Sequence, residues 1–301
     1  MLLRSAWMAT LAEQLFADNE FLNHSLNWDE YVRAGYADVT IPQSGGASNV
    51  VRNRSVFPAQ ASERADGDIK YTMVDYTSDP RRIRNLTQKQ YSYDYRGSIL
   101  RQDSAIMKQF MAEDILYTWR AEQLKFILRT TGDDTDVSNG ILAGTRKKAT
   151  MHDFLRAEKA LTDAFIPKAG RLALISTQTK LDLLTDPKIE DTYISKDLAN
   201  YKEGEIVQVG GFSVMVRPSV LTYNGAGTQA KLPGTAQAAN DNDASLFWHP
   251  NFVGRSMGNM DIFYNPAQAT SYGDLFSTEA QAGGAKFYDD GRGVIVLVQK
   301  A

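Results

Sequence analysis

Gly254-Arg255-Ser256-Met257-Gly258 has the glycine-flanked spacing that exposes a nucleophilic serine on a strand-to-helix turn, so Ser256 is the first residue to weigh for hydrolysis. In that arrangement the activating histidine follows the serine, whereas His24, His152 and His249 all precede it. The residues after Gly258, Asn-Met-Asp-Ile-Phe-Tyr-Asn-Pro, read as a strand that stops at a proline and not as the helix the turn requires. A turn between strands is the simpler reading, with a serine hydrolase using Ser256 as an alternative.

Asp134, Asp136 and Ser138 resemble the start of a calcium loop, but Asn139 stands where the sharp turn needs glycine and Thr145 where a bidentate glutamate belongs. No glycine loop ending in Lys-Ser/Thr could cradle a phosphate, and three scattered histidines have no metal-ligand spacing. With no cysteine there is neither a thiolate site nor a disulfide framework. The expectation is therefore no catalytic residue, no cofactor and no metal. Asp79-Pro80-Arg81-Arg82-Ile83-Arg84 is the one basic cluster, readable as a contact to phosphate or an acidic neighbour, or as a solvated strand entry.

At 301 residues and 43% hydrophobic, the chain can bury a substantial core as one large or two smaller domains. Its 33 Lys+Arg against 36 Asp+Glu leave a charge of -3, too balanced for a protein that must neutralise many phosphates. Thr10, Glu13, Gln14 and Asp18 interrupt the apolar start, so no secretory or membrane-spanning segment is expected. The glycosylation-like triplets at Asn23, Asn53 and Asn85 then carry no meaning.

The elements that would position any such residue alternate in kind. Trp7, Leu11 and Leu15 at steps of four predict a short amphipathic helix over about 5–17. From Gly35 to Tyr95, β-branched residues among Gly, Pro and Asp-Gly signals read as strands and turns. Within it, Asp66 to Tyr76 alternates with Ile69, Tyr71 and Met73 on one side and Lys70, Thr72, Val74 and Tyr76 on the other. Neither face is cleanly apolar, so this ribbon is expected to find cover on another chain.

Ser98 to Thr131 predicts a long helix capped by Gly132, its stripe formed by Ile106, Phe110, Tyr117, Ala121, Leu124 and Leu128. A second helix is expected over His152 to Phe165, stopped by Pro167, and a short one over Gln178 to Leu184. Strands are expected at Arg171 to Ser176, on both sides of Gly210-Gly211, at Met260 to Tyr264, and as a hairpin turning at Asp290-Gly291. Gly225 to Asn242 reads as a surface loop, and no internal repeat or heptad register points to a fibrous tail protein.

Asn85-Leu86-Thr87-Gln88-Lys89-Gln90-Tyr91-Ser92-Tyr93-Asp94-Tyr95-Arg96 resembles the strand that leads into the spine helix of the major capsid proteins of tailed bacteriophages. Ile166-Pro167-Lys168-Ala169-Gly170-Arg171-Leu172-Ala173-Leu174-Ile175 is similar to the entry of their axial domain. Leu246 to Gly254, Tyr272-Gly273-Asp274 and Asp290-Gly291-Arg292-Gly293-Val294 resemble the family's close. Each stretch is of low specificity; their order carries the likeness, from about Gly35 to the C-terminus.

The resemblance implies an α+β capsid fold: an N-terminal arm (1–47), an extended loop (48–84), a peripheral domain (85–170) with a spine helix at 98–131, an axial domain (171–259) and a return segment (260–301). It implies contacts from the extended loop to a neighbouring subunit through Arg52, Arg54, Phe57, Lys70, Tyr71, Tyr76, Arg81 and Arg82. It also implies hexamers and pentamers in an icosahedral shell around double-stranded DNA, built in the host cytoplasm, with a portal, a separate scaffold or none, and possible decoration proteins. Some relatives crosslink a loop lysine to an asparagine; Lys70, Asn259 and Asn265 are the residues to weigh here, though a lysine on a solvated strand is ordinary. An encapsulin-like compartment, which shares this fold, is the nearest alternative.

Overall fold

Strand propensity and turn chemistry explain most of the secondary structure in the computed structural model, which describes residues 19–32, 38–46, 50–55, 57, 58, 61, 63, 64, 66–84, 95–138, 141–187, 208–268, 270, 272–288 and 290–300. The expected helix over 5–17 and the stretch 85–94 lie outside the described residues.

In chain order the first half holds β1 (Leu26–Asn27), β2 (Asp38–Gln43), β3 (Gly67–Thr72), β4 (Val74–Thr77), β5 (Arg81–Arg84), helix α1 (Tyr95–Trp119), β6 (Ile127–Arg129), β7 (Asp134–Asp136) and β8 (Thr145–Lys147). Then come α2 (Met151–Asp163), β9 (Leu172–Ser176), α3 (Thr177–Leu184), β10 (Gln208–Val209), β11 (Phe212–Arg217) and β12 (Leu221–Tyr223). The chain closes with β13 (Asn242–Trp248), β14 (Val253–Gln268), β15 (Gly273–Lys286) and β16 (Val294–Val298).

Two sheets organise these pieces. A seven-stranded sheet runs β10-β11-β9-β13-β16-β6, with β12 also on β13. Its central strands β9 and β16 are buried at every position, which is why they read as unbroken apolar runs. A five-stranded sheet is dominated by the long β14–β15 pair, with β1 beside β14 and both β4 and β5 on β15. Between them, the Trp119 ring packs tilted at 42° against Trp248, 6.1 Å between centroids, and donates its indole N–H to the Gly254 carbonyl at 3.0 Å, joining helix and both sheets.

The middle region follows its sequence closely. Thr150 and Asp153 form a reciprocal cap that starts α2. Gly210 and Gly211, at φ 55° and 84°, make the tight turn between antiparallel β10 and β11. Arg171 is buried yet satisfied: its guanidinium donates to the carbonyls of Glu158, Ile166 and Pro167, pinning the end of α2 to the start of β9.

Three expectations need correction. The helix is Tyr95–Trp119, 25 residues and about 37 Å long at 1.5 Å per residue, and not 98–131. Residues 127–129, expected in the helix, instead extend the seven-stranded sheet beside β16. The buried face of α1 is Met107, Met111, Ala112, Ile115, Leu116 and Trp119, whereas Ile106 and Phe110 face outward. Finally, Asp290-Gly291 is a turn but not a hairpin: β16 pairs with β13 and β6, so the turn carries the chain from one sheet to the other.

The boundary expected at 259/260 falls inside β14, and the last strand, within the expected return segment, joins the sheet built mainly from residues 172–248.

Candidate assembly interface

The segments 38–43, 67–72, 74–77 and 81–84 pair with other strands of their own chain, while Val50 and Phe57 between them are exposed. β2 and β3 pair as a two-stranded ribbon with Ile41 opposite Ile69 and Val39 opposite Tyr71. Val39, Ile41, Ile69 and Met73 are buried together with Trp28 in a small second core, packed by Leu26, Val32, Tyr71, Ala285 and Phe287. The Tyr71 ring lies 5.9 Å from Trp28, and its hydroxyl donates to Ser256 Oγ at 2.8 Å. Burial pushes the Tyr71 phenol up to about 12.

The ribbon thus has a resting place on its own molecule, contrary to the sequence expectation. Alternation separated an inward from an outward side only as far as Val74; Tyr76, expected outward with Lys70, Thr72 and Val74, is half-buried against α1 and Asp75 is exposed, and the cover for Ile69, Tyr71 and Met73 comes from β2, Trp28 and β15, all remote in sequence.

The next step of the chain is fixed by polar contacts. β4 and β5 pair with β15, and the Ser78 hydroxyl accepts from the Thr278 N–H at 2.8 Å. Tyr76 donates its hydroxyl to Asp114 Oδ2 at 2.6 Å, reaching α1. Burial first, and this bond second, raise the Tyr76 phenol above its ordinary range. Arg81 meets the buried carboxylate of Asp103 at 3.1 Å; burial raises the Asp103 pKa and the guanidinium offsets part of that rise.

Of the eight loop residues expected to contact a neighbour, Tyr71, Tyr76 and Arg81 therefore also bind their own chain. Arg52, Arg54, Phe57, Lys70 and Arg82 are exposed. At the tip, Val50 is 89% and Phe57 75% exposed, far beyond what a side chain of that type keeps once a core covers it. Asn259 and Asn265, weighed with Lys70 for a crosslink, are exposed on β14.

A groove of about 430 Å³ runs between the β4–β5 segment and α1, lined among others by Asp75, Asp79, Arg81, Asp103, Ile106 and Phe110. Sequence reasoning missed it. Its only signal was that α1 carries two parallel apolar rows, one more than a single buried face needs.

Ser256 is no exposed nucleophile. It is fully buried in mid-strand, opposite Gly283, and occupied by Tyr71. Its flanking glycines have a packing reason: a Cβ at Gly254 would sit 2.4 Å from the Trp28 ring, and one at Gly258 would meet Gln281 at 2.7 Å. The stretch is thus strand and not the turn expected. Asp134 pairs with Lys147 at 2.8 Å and Asp136 caps the Ser138 N–H at 2.9 Å, so both acids have partners in a small hairpin. Among the described residues no group of three His, Asp or Glu is placed to hold a metal, and no helix is long and apolar enough to cross a membrane.

No family model matches the chain. No curated protein matches it either. Solved structures do match. The capsid of cyanophage P-SCSP1u is similar with a TM-score of 0.63 at 16% identity, over 91% of this chain and 86% of that one. The capsid of Ralstonia phage GP4 gives 0.63 at 12% identity, over 92% and 87%. The capsid asymmetric unit of cyanophage Pam1 gives 0.64 at 10% identity, over 94% and 91%. The chain has the α+β fold of these phage capsid proteins over more than nine-tenths of its length.

Proposed function

We propose that this chain is a major capsid protein, the subunit that tiles the icosahedral head of a tailed phage around its double-stranded DNA. The observation that carries this reading is the likeness to phage capsid structures over nine-tenths of the chain, at 91% and 94% coverage in two cases. A shared fold alone does not fix a role. Here the uncovered loop tip supplies the site-level support, because a self-assembling subunit needs surface that only a neighbour covers.

In this reading the unit around the seven-stranded sheet, chiefly 171–259, is the axial domain at the centre of hexamers and pentamers. The β14–β15 sheet and α1 form the periphery, and 48–84 is the extended loop. The near-neutral charge of -3 suits an inner wall that encloses DNA without holding it tightly. Scaffold, portal and decoration proteins are partners to be sought in neighbouring genes, with assembly in the host cytoplasm before packaging. No catalytic step is assigned.

The test is negative-stain electron microscopy of the overexpressed protein, alone and with any neighbouring scaffold gene. Closed shells of uniform diameter are expected. A protein that remains monomeric under every assembly condition would overturn the proposal.

A further inference from the structure

We infer that the groove between the β4–β5 segment and α1 is a binding site for a linear aliphatic diamine, a small ligand whose two ammonium groups are joined by a methylene spacer. The inference does not depend on the shell reading, because every part of the site lies on one copy of the chain.

The charge of the groove sets the sign of the ligand. Asp75 and Asp79 line one wall and Asp103 the other, while Arg81 is the one base among the described lining residues, so two negative charges are left over. Asp103 carries the clearest sign of a missing partner. Only 7% of its side chain is exposed; Arg81 takes Oδ1 at 3.1 Å, and Oδ2 is sealed from solvent with no hydrogen-bond donor among the described residues. A buried carboxylate oxygen without a donor is costly. Burial raises the Asp103 pKa by more than the guanidinium lowers it, which is the electrostatic counterpart of that unmet bond.

Geometry then chooses among cations. A divalent metal needs several oxygens converging on one point, and among the described residues no group of three acids is placed to supply them. A guanidinium binds a carboxylate best through both oxygens at once, and at Asp103 one of them is already taken. A primary ammonium is a compact charge with three donors, able to use a single oxygen once the half-exposed Arg81 side chain turns outward to admit it. The spacer has a surface of its own. Ile106 and Phe110 are 53% and 46% exposed beside the buried Met107, giving the methylenes apolar contact and a second ammonium a ring face near Asp75 and Asp79. At about 430 Å³ the groove lies in the size range that encloses a small organic ligand.

Calorimetric titration of the purified full-length protein with putrescine tests the site, against two dications of other chemistry at the same concentration: magnesium, and arcaine, the diguanidine counterpart of putrescine. Saturable binding of one putrescine per chain is expected, at least tenfold tighter than magnesium or arcaine. Asp103→Asn keeps the shape of the side chain and removes its charge, and should weaken putrescine at least tenfold. Asp79→Asn, at an exposed position where folding is not at stake, should weaken it several-fold, and Asp163→Asn, exposed on α2 and outside the groove, should change nothing. Equal binding of putrescine and magnesium, or an equal loss with Asp79→Asn and Asp163→Asn, would mean a diffuse ion atmosphere and overturn the site. Tighter binding of arcaine overturns the choice of ammonium. Absence of any putrescine binding overturns the whole inference and leaves the capsid reading standing.

Discussion

At the scale of single residues, His249 shows how a buried polar group sets the pH range of the fold. Its Nδ1 accepts the Asn251 N–H at 3.2 Å, leaving Nε2 to donate to the Ala169 carbonyl at 3.1 Å, so the ring is held neutral. Burial lowers its pKa below the ordinary 6.5, with the Ala169 bond opposing and Arg171 adding to the fall. The unfolded chain then binds this proton more readily than the folded one, so stability is whole above 6.5 and declines as the pH falls from there toward the depressed value. His249→Asn keeps a side-chain acceptor for Asn251 and removes the titration. Denaturant unfolding at a series of pH values should show a shallower acid slope for the variant than for the parent.

Ser256 belongs to the same scale. Ser256→Ala leaves the Tyr71 hydroxyl without its acceptor, for a loss of about 1 kcal/mol in chemical denaturation. It should leave any esterase background of the preparation unchanged; a serine-dependent activity would show a drop. The glycine-flanked pattern was legible, but its cause was not. The glycines make room for Trp28 and Gln281, which stand far away in sequence.

At the scale of elements, the middle of the chain was the most legible part. β9, α2, α3 and the β10–β11 turn are each specified by neighbours in sequence: an apolar run, a capping box, a Gly-Gly pair. α1 was less so. Ile106 and Phe110 have the same spacing as Met107 and Met111, one residue along, and periodicity cannot tell which row meets a sheet built mostly from residues after 172. The helix end was hidden for the same reason, since β6 is drawn off by β16 near the far terminus. Gly254→Ala tests the packing between elements. Its Cβ would enter the Trp28 ring, so the β1–β14 contact and the second core must shift, at a cost of roughly 2 kcal/mol in the denaturation midpoint. A neutral result would mean that β1 is not held there.

At the scale of the whole molecule, stability and assembly should be separable, because none of the described residues of 50–58 belongs to either apolar core. Replacing residues 50–58 with a Gly-Ser linker of equal length should leave the thermal midpoint of the isolated subunit unchanged and abolish shells, read by calorimetry and electron microscopy side by side. The segment that the sequence marked as uncovered was the 66–76 ribbon, which Trp28 and β2 cover, whereas the exposure of Val50 and Phe57 was not read from it. The groove could not be read either, since β4–β5 and α1 bring its acidic and apolar parts together only in the folded chain. The most direct measurement of the central claim is amide hydrogen exchange of residues 50–58 in free subunits and in purified particles. The account predicts fast exchange when free and strong protection once assembled; equal exchange in both states would contradict it.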